Sequence, residues 1–175
     1  MITINTSRLV LKPLGIKYIE SVHEYSSDIG NTKYMVHLPN NNIGETKEFL
    51  QRADAEWKST KPSFYEFAVI YKNKHIGAVS IYLEDSLSGE LGWIINKKYQ
   101  KQGFAFEAAR ALMDFSINKL KIKHFIAHCD SENIPSYKVM EKLGMSRTGT
   151  YGGRKNRSSD EERTEYQYEF TVAAR

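Results

Sequence analysis

The sequence predicts a mixed α/β domain. A mostly antiparallel central sheet of about six or seven strands is flanked by about four helices, in one unit over residues 1–175. Two features predict it. Three strand-like runs at residues 64–71, 75–83 and 89–96 form a meander, and from residue 103 the pattern becomes helix, strand, helix, strand. The composition agrees: 41% of residues are hydrophobic and 26% charged, with no repeat, low-complexity tract or Pro/Gly/Ser linker.

Each element follows from its residues. Arg8-Leu-Val-Leu-Lys12 alternates and is rich in strand formers, so a first strand ends near Pro13. Residues 16–26 read as a helix, with Ile16, Ile19, Val22 and His23 near one face. Residues 37–42, with Pro39 and a run of asparagines, are loop. Residues 45–58 form a second helix, carrying Phe49, Ala53 and Trp57 at every fourth position. The hairpin of residues 64–71 and 75–83 turns at Lys72-Asn-Lys74, without the usual glycine. Residues 84–88 are another turn, and Gly-Glu-Leu-Gly-Trp-Ile-Ile-Asn at residues 89–96 closes the meander. From Gly103 to Leu120 the period is helical, and Phe104, Ala108, Ala111, Leu112, Phe115 and Leu120 make a broad apolar stripe. Residues 123–129 are a strand. Pro135 sits in the first turn of a helix that runs to about Leu143, with Gly144 as its stop. Residues 145–151 and 164–172 are the final strands, and residues 152–162 a charged loop between them.

The net charge of +4 is milder than that of most nucleic-acid-binding domains and suits a phosphorylated ligand. Direct nucleic-acid binding is therefore not expected. No run approaches the ~18 apolar residues of a membrane span, and the first residues lack the pattern of a secretory signal. The single cysteine, Cys129, excludes an internal disulfide and fits a reducing cytoplasm. At the end of a strand it reads as a small buried hydrophobe. The five histidines show no ligand spacing, so no metal site is expected.

The most informative segment is Lys97-Lys-Tyr-Gln-Lys-Gln-Gly-Phe-Ala105, which leaves a strand and opens a helix. The first N–H groups of a helix lack intrahelical partners and the dipole is positive there, so a pyrophosphate is a natural guest. Gly103 lets backbone approach phosphate closely, Ala105 adds little bulk, and Lys97, Lys98 and Lys101 could meet a further phosphate. Neither a Walker A nor a GxGxxG spacing is present.

Gln100-x-x-Gly103-x-Ala105, followed by Glu107-Ala108, resembles the acetyl-CoA signature of the GNAT N-acetyltransferases, and specifically of their RimJ/RimL-like branch. Thr6-x-Arg8-Leu-Val-Leu-Lys-Pro-Leu14, Gly89-Glu-Leu-Gly-Trp-Ile-Ile95 and Asn133-x-x-Ser136-x-x-Val139-Met-Glu-Lys-Leu-Gly-Met145 resemble three further stretches of that branch. The resemblance covers about residues 6–170 and implies a sheet splayed at a cofactor cleft. It implies that the backbone at Ile94, Ile95 and Asn96 holds a pantetheine arm and faces the thioester oxygen. The backbone of Lys101, Gln102, Gly103, Phe104, Ala105 and Phe106, after Gln100, holds the pyrophosphate, and the Asn133 side chain binds the cofactor.

The implied activity is transfer of acetyl from acetyl-CoA to a primary amine, either a protein N-terminus or a small molecule. A homodimer is compatible with it. Such a reaction needs a base for the amine, and Glu90 is the first candidate, with a solvent-facing strand carboxylate as the equal alternative. Glu165 is a weaker candidate. Many GNAT enzymes carry a tyrosine seven residues after the helix asparagine; Met140 stands there instead. The branch implies Ser136 as acid or cofactor ligand, with helix capping as the alternative. Tyr137 reads as packing. Arg154-Lys-Asn-Arg157 reads as a solvated loop or an anion clamp, and Tyr34, Met35, Trp57 and Trp93 as pocket or core. A non-catalytic acyl-CoA-binding domain on the same fold is the rival reading.

Overall fold

The computed structural model describes residues 2–174. Its strands are β1 (Ile4–Asn5), β2 (Leu9–Pro13), β3 (Phe64–Tyr71), β4 (Lys74–Leu83), β5 (Ser88–Ile95), β6 (His124–Asp130), β7 (Ser146–Lys155) and β8 (Glu162–Thr171). Its helices are α1 (Ile19–Ser26), α2 (Ile29–Thr32), α3 (Ile43–Lys58), α4 (Phe104–Phe115) and α5 (Ile134–Lys142). One eight-stranded sheet runs in the order β1-β2-β3-β4-β5-β6-β8-β7, and only the β5–β6 pair is parallel. The predicted mixed, mostly antiparallel sheet is present. The additional strand is β1, two residues long and too short to show a pattern. The additional helix is α2, a single turn capped by the Asp28 side chain on the Asn31 N–H.

The hairpin between β3 and β4 turns without glycine because Lys72 and Asn73 both take positive φ, 47° and 63°. That is the pairing of conformations a twisted two-residue hairpin needs. The predicted loop at residues 152–162 is a strand as far as Lys155, with a bulge between Tyr151 and Arg154. Glycines and charges on an exposed edge strand read like a loop, because no buried face imposes an alternation.

Strand alternation divides the core between the two faces of the sheet. Leu11, Phe67, Val69, Val79, Ile81, Leu91 and Ile95 pack on the face that carries α4, with Phe104, Ala108, Leu112 and Met113. Leu14, Ala68 and Ala78, with Ile70 and Ile94, pack on the other face beneath Val22 and Tyr25 of α1 and Leu50 of α3.

The site is created by where β5 and β6 cease to pair. Their register holds for Ser88↔His124, Gly89↔Phe125 and Glu90↔Ile126 and goes no further. Beyond Glu90, β5 continues beside β4 while β6 continues beside β8. The sheet is forked there, and α4 begins just after β5 ends.

Candidate active site

At the start of α4, Gly103 sits at φ +81° as the residue before the first helical turn, and Lys101 at φ +61°. Glycine is the residue that adopts this conformation without strain. The backbone N–H groups from Lys101 to Phe106 find no acceptor among the described residues; the next one, of Glu107, donates to the Gly103 carbonyl at 3.1 Å. A continuous row of free donors therefore faces the positive end of the helix dipole.

The turn is held from the opposite end of the chain. Glu107 accepts from Thr6 Oγ1 at 2.6 Å, Ser7 Oγ at 3.1 Å, the Arg8 backbone N–H at 2.9 Å and Arg8 Nε at 2.6 Å. Arg8 Nη1 donates to the Gln102 carbonyl at 2.9 Å, and its guanidinium lies 4.5 Å from the Phe104 ring centroid. Thr6, Arg8 and Glu107 lie in the stretches that carry the family resemblance, but their contact spans about a hundred residues and has no local signal. Of the lysines expected to meet phosphate, Lys97 pairs with Asp28 at 2.5 Å and Lys98 pairs with Glu24, which leaves Lys101. The side chain of Phe104 is buried in the core, so this residue offers only its backbone.

The register corrects which β5 residues open toward the fork. The Asn96 N–H donates to the Ile76 carbonyl at 2.8 Å and its carbonyl accepts from the Tyr99 N–H, so its backbone is committed. In an antiparallel ladder the hydrogen-bonding direction alternates, which aims Ile94, Gly92 and Glu90 at β4 as well. Leu91, Trp93 and Ile95 are the residues whose backbone faces the gap. The Ile95 carbonyl already accepts from Gln100 Nε2 at 2.9 Å and Asn31 Nδ2 at 3.2 Å. Gln100 thus fixes the end of β5 rather than standing free.

Glu90 lies at the point of the fork, and its carboxylate is not simply solvated. It accepts from His128 Nδ1 on β6 at 2.7 Å, and His128 Nε2 reaches Gln167 Oε1 on β8 at 3.1 Å. The Gln167 amide is oriented by its Nε2 bond to Glu169 at 2.6 Å. Both ring nitrogens face side-chain oxygens, Glu90 Oε1 and Gln167 Oε1, an arrangement that favours the protonated ring. The Glu90 hydrogen bond holds the His128 pKa above its ordinary value despite burial. No local sequence pattern marks His128, because the β5–β6 register that brings it to Glu90 joins distant segments.

At the other side of the fork, Asn133 precedes α5 and its side chain makes no capping bond. Ser136 in the first turn likewise bonds nothing with its hydroxyl among the described residues, so capping is not its role. Tyr137 packs on Tyr166 and Tyr168, as expected. The Cys129 thiol is buried, which pushes its pKa up to about 11 and leaves it a poor nucleophile.

Arg154 is largely buried and Arg157 exposed, and both guanidinium groups are already paired. Arg154 pairs with Glu165 at 2.5 Å and donates to the Tyr34 carbonyl at 2.8 Å. Arg157 pairs with Glu45 at 3.0 Å and donates from its backbone to the Met35 carbonyl. Together they tie Tyr34 and Met35, in the segment after α2, to the β7–β8 hairpin. Glu165 is occupied by this pairing. Trp57 and Trp93 belong to the core on the α4 face, and Trp57 Nε1 donates to the Glu66 carbonyl at 3.0 Å. Among the described residues no cluster could hold a metal, and no helix is long and apolar enough to cross a membrane.

Comparison with known proteins gives a consistent result. The family model described as an acetyltransferase (GNAT) domain matches residues 8–146. YnaD, an uncharacterized N-acetyltransferase of Bacillus subtilis, is 33% identical over 153 residues, 85% of this chain and 85% of its own. The crystal structure of a GNAT-family acetyltransferase from Bacillus anthracis superposes with a TM-score of 0.83 at 31% identity, covering 97% of this chain and 98% of that one. RimL, a ribosomal L7/L12 α-N-protein acetyltransferase solved in complex with coenzyme A, superposes with a TM-score of 0.86 over 98% of both chains; at 14% identity this is a likeness of fold.

Proposed function

We propose that this chain, which belongs to the GNAT acetyltransferase family, passes acetyl from acetyl-CoA directly to a primary amine held at the Glu90 fork, in a ternary complex. It is an N-acetyltransferase, and acetyl-CoA is its donor. One observation carries the assignment of the site: the free N–H row from Lys101 to Phe106 stands beside the fork at whose point Glu90 and His128 are paired.

The residues present fit the donor. A pyrophosphate needs several convergent N–H groups and a backbone without bulk, and the Gly103 turn offers both. Lys101 adds a cation. The cleft-facing backbone of Leu91, Trp93 and Ile95 is suited to a pantetheine amide chain lying along the strand, as an added strand would. The donor supplies an activated acetyl thioester and a thiolate leaving group.

The remaining chemistry belongs to the chain. An alkylamine is mostly protonated at neutral pH and must lose a proton before it attacks. The Glu90–His128 pair takes that proton once the imidazolium has itself been deprotonated, so the rate rises with pH through a range displaced above that of ordinary histidine. The free N–H groups on the gap side of β5 stabilise negative charge developing on the carbonyl oxygen. Ser136 donates a proton to the departing sulfur, and Asn133 binds the donor through its unused amide.

The RimJ/RimL-like branch is supported by Asn133 with Ser136, by Met140 where many GNAT enzymes carry tyrosine, and by the Glu107 clamp on Thr6 and Arg8. The acceptor class within that branch is an amine of a protein N-terminus or of a small molecule. Free thiol released from acetyl-CoA, measured over a panel of alkylamines and N-terminal peptides, tests the reading. Amine-dependent release is expected. Micromolar acetyl-CoA binding without release for any amine would make the chain a binding domain instead.

A further inference from the structure

One carboxyl group on the acceptor face has no part in the chemistry above. Glu66 of β3 is 7% exposed, yet neither of its oxygens is hydrogen-bonded within the described residues, and neither is sealed from solvent. Its cross-strand neighbour Ser80 is 6% exposed, and its hydroxyl is in the same condition. A buried carboxyl without a partner costs free energy unless something meets it. Two such groups side by side, unbonded but reachable, outline a narrow slot.

The register shows where the slot leads. Glu66 stands opposite Ser80, and Ser80 opposite Gly92, on the same sheet face as Glu90. Ser80 and Gly92 make a low floor beside one tall row. On one side Phe64, Tyr82 and Glu90 lie in register, with the Phe64 and Tyr82 rings stacked at 4.8 Å; on the other lie Ala68, Ala78 and Ile94. Gly92 is just past the point where β5 leaves β6. From the fork to Glu66 is two strand spacings, about 10 Å.

We propose that Glu66 and Ser80 form an ammonium subsite at the closed end of the acceptor slot, which holds the second amino group of a diamine while the first reacts beside Glu90. This rests on the acetyltransferase reading for the reacting end, but the subsite can be measured without any turnover. The recognised chemistry is a linear alkyl chain with a cation at its far end. Tyr82 lines the slot with an apolar ring, and Ser80 offers a hydroxyl oxygen beside the carboxylate.

The charge state of Glu66 gives the subsite a measurable signature. Burial pushes its carboxyl up to about 8, so in the empty slot it is protonated at neutral pH. The titratable groups beside it are Tyr25 of α1 and Tyr82 of β4, and around the same Tyr82 stand Arg52 and Glu56 of α3 and Glu90 of β5. An arriving ammonium group stabilises the carboxylate, and the Glu66 proton leaves to solvent. Diamine binding therefore releases a proton and strengthens as the pH rises toward 8, whereas a monoamine whose single ammonium is held at the Glu90 end does neither.

The test is calorimetric titration of the CoA-loaded chain with 1,4-diaminobutane and with butylamine, in two buffers of different ionisation enthalpy at pH 7. The diamine is expected to bind about tenfold more tightly or better, with proton release. Glu66→Gln should abolish both the preference and the release, and Glu66→Asp, which keeps the charge on a shorter arm, should retain part of each. Equal affinity for the two amines, or a preference that survives in Glu66→Gln, overturns the subsite. Acetylation of butylamine by the unmodified chain reports on the acetyltransferase reading separately. If that fails while the diamine preference holds, the subsite stands and the reading falls.

Discussion

Replacing Glu107 by alanine should disturb both stability and cofactor binding, although Glu107 touches no cofactor in the account above. Its carboxylate is the single acceptor that ties Thr6, Ser7 and Arg8 to the first turn of α4. Hydrogen bonds to a charged group contribute about 1.5–3 kcal/mol each where they are shielded. That from Thr6 Oγ1 qualifies, because it is partly buried and the Glu107 side chain is 15% exposed; the bond from the Arg8 N–H is exposed and adds less. The Arg8 side chain is 42% exposed, so its ion pair adds only about 0.5 kcal/mol. Such bonds share one acceptor and do not sum fully, so the loss is about 3 kcal/mol, or roughly 6–12 °C in Tm for a chain of this size. Arg8 also holds the Gln102 carbonyl, and once released it leaves the N–H row less ordered. Acetyl-CoA affinity should fall about tenfold.

Thermal unfolding and calorimetric titration of the variant measure both effects. Burial alone would raise the Glu107 pKa, but the bonds from Thr6, Arg8 and Ser7 outweigh it and hold the carboxyl below its ordinary range. A depressed carboxyl pKa contributes stability above the unfolded value and loses it as the pH falls through the folded one. The gap between wild type and variant should therefore narrow in acid. A Tm within about 2 °C of wild type together with unchanged affinity would refute the clamp.

Two further substitutions address the chemistry. Glu90→Gln should lower turnover by about 10²–10⁴-fold with unchanged acetyl-CoA affinity. It should also shift the acidic limb of kcat/KM to lower pH, because His128 loses the partner that raises its pKa; an unmoved limb removes the pair as the base. Ser136→Ala should lower kcat about tenfold or more while leaving Tm in place. Full turnover in Ser136→Ala would remove Ser136 from the chemistry.

What the sequence reveals here, and what it hides, divides along the range of the interactions. The meander, the crossover helix and the stop at Gly144 are written in periods and punctuation within one element, and they match the fold. The turn at Lys101–Phe106 is legible for the same reason, since helix-start chemistry is local. Which strand residues face the gap depends on the β4–β5 register, and reading Ile94 and Asn96 as open follows from position along the strand without that register. His128 meets Glu90, and Glu107 meets Thr6 and Arg8, only through long-range pairing. Arg154 and Arg157 read as loop charges because no local pattern shows that the segment after α2 comes back to them. Glu66 was hidden for the opposite reason: it sits inside an ordinary apolar strand, and only its burial without a partner sets it apart.

The central claim is that the Gly103 turn binds the pyrophosphate of acetyl-CoA through backbone N–H groups. Calorimetric titration with acetyl-CoA and with S-acetylpantetheine, which lacks the pyrophosphate, tests it in wild type and in Gly103→Val. A valine must adopt φ +81° there and places bulk beside the donors. The account predicts that wild type prefers acetyl-CoA by about a hundredfold, the equivalent of two charge-assisted hydrogen bonds, and that Gly103→Val loses most of this preference while binding S-acetylpantetheine as before. Equal binding of the two ligands by wild type, or a full preference retained in Gly103→Val, would contradict it.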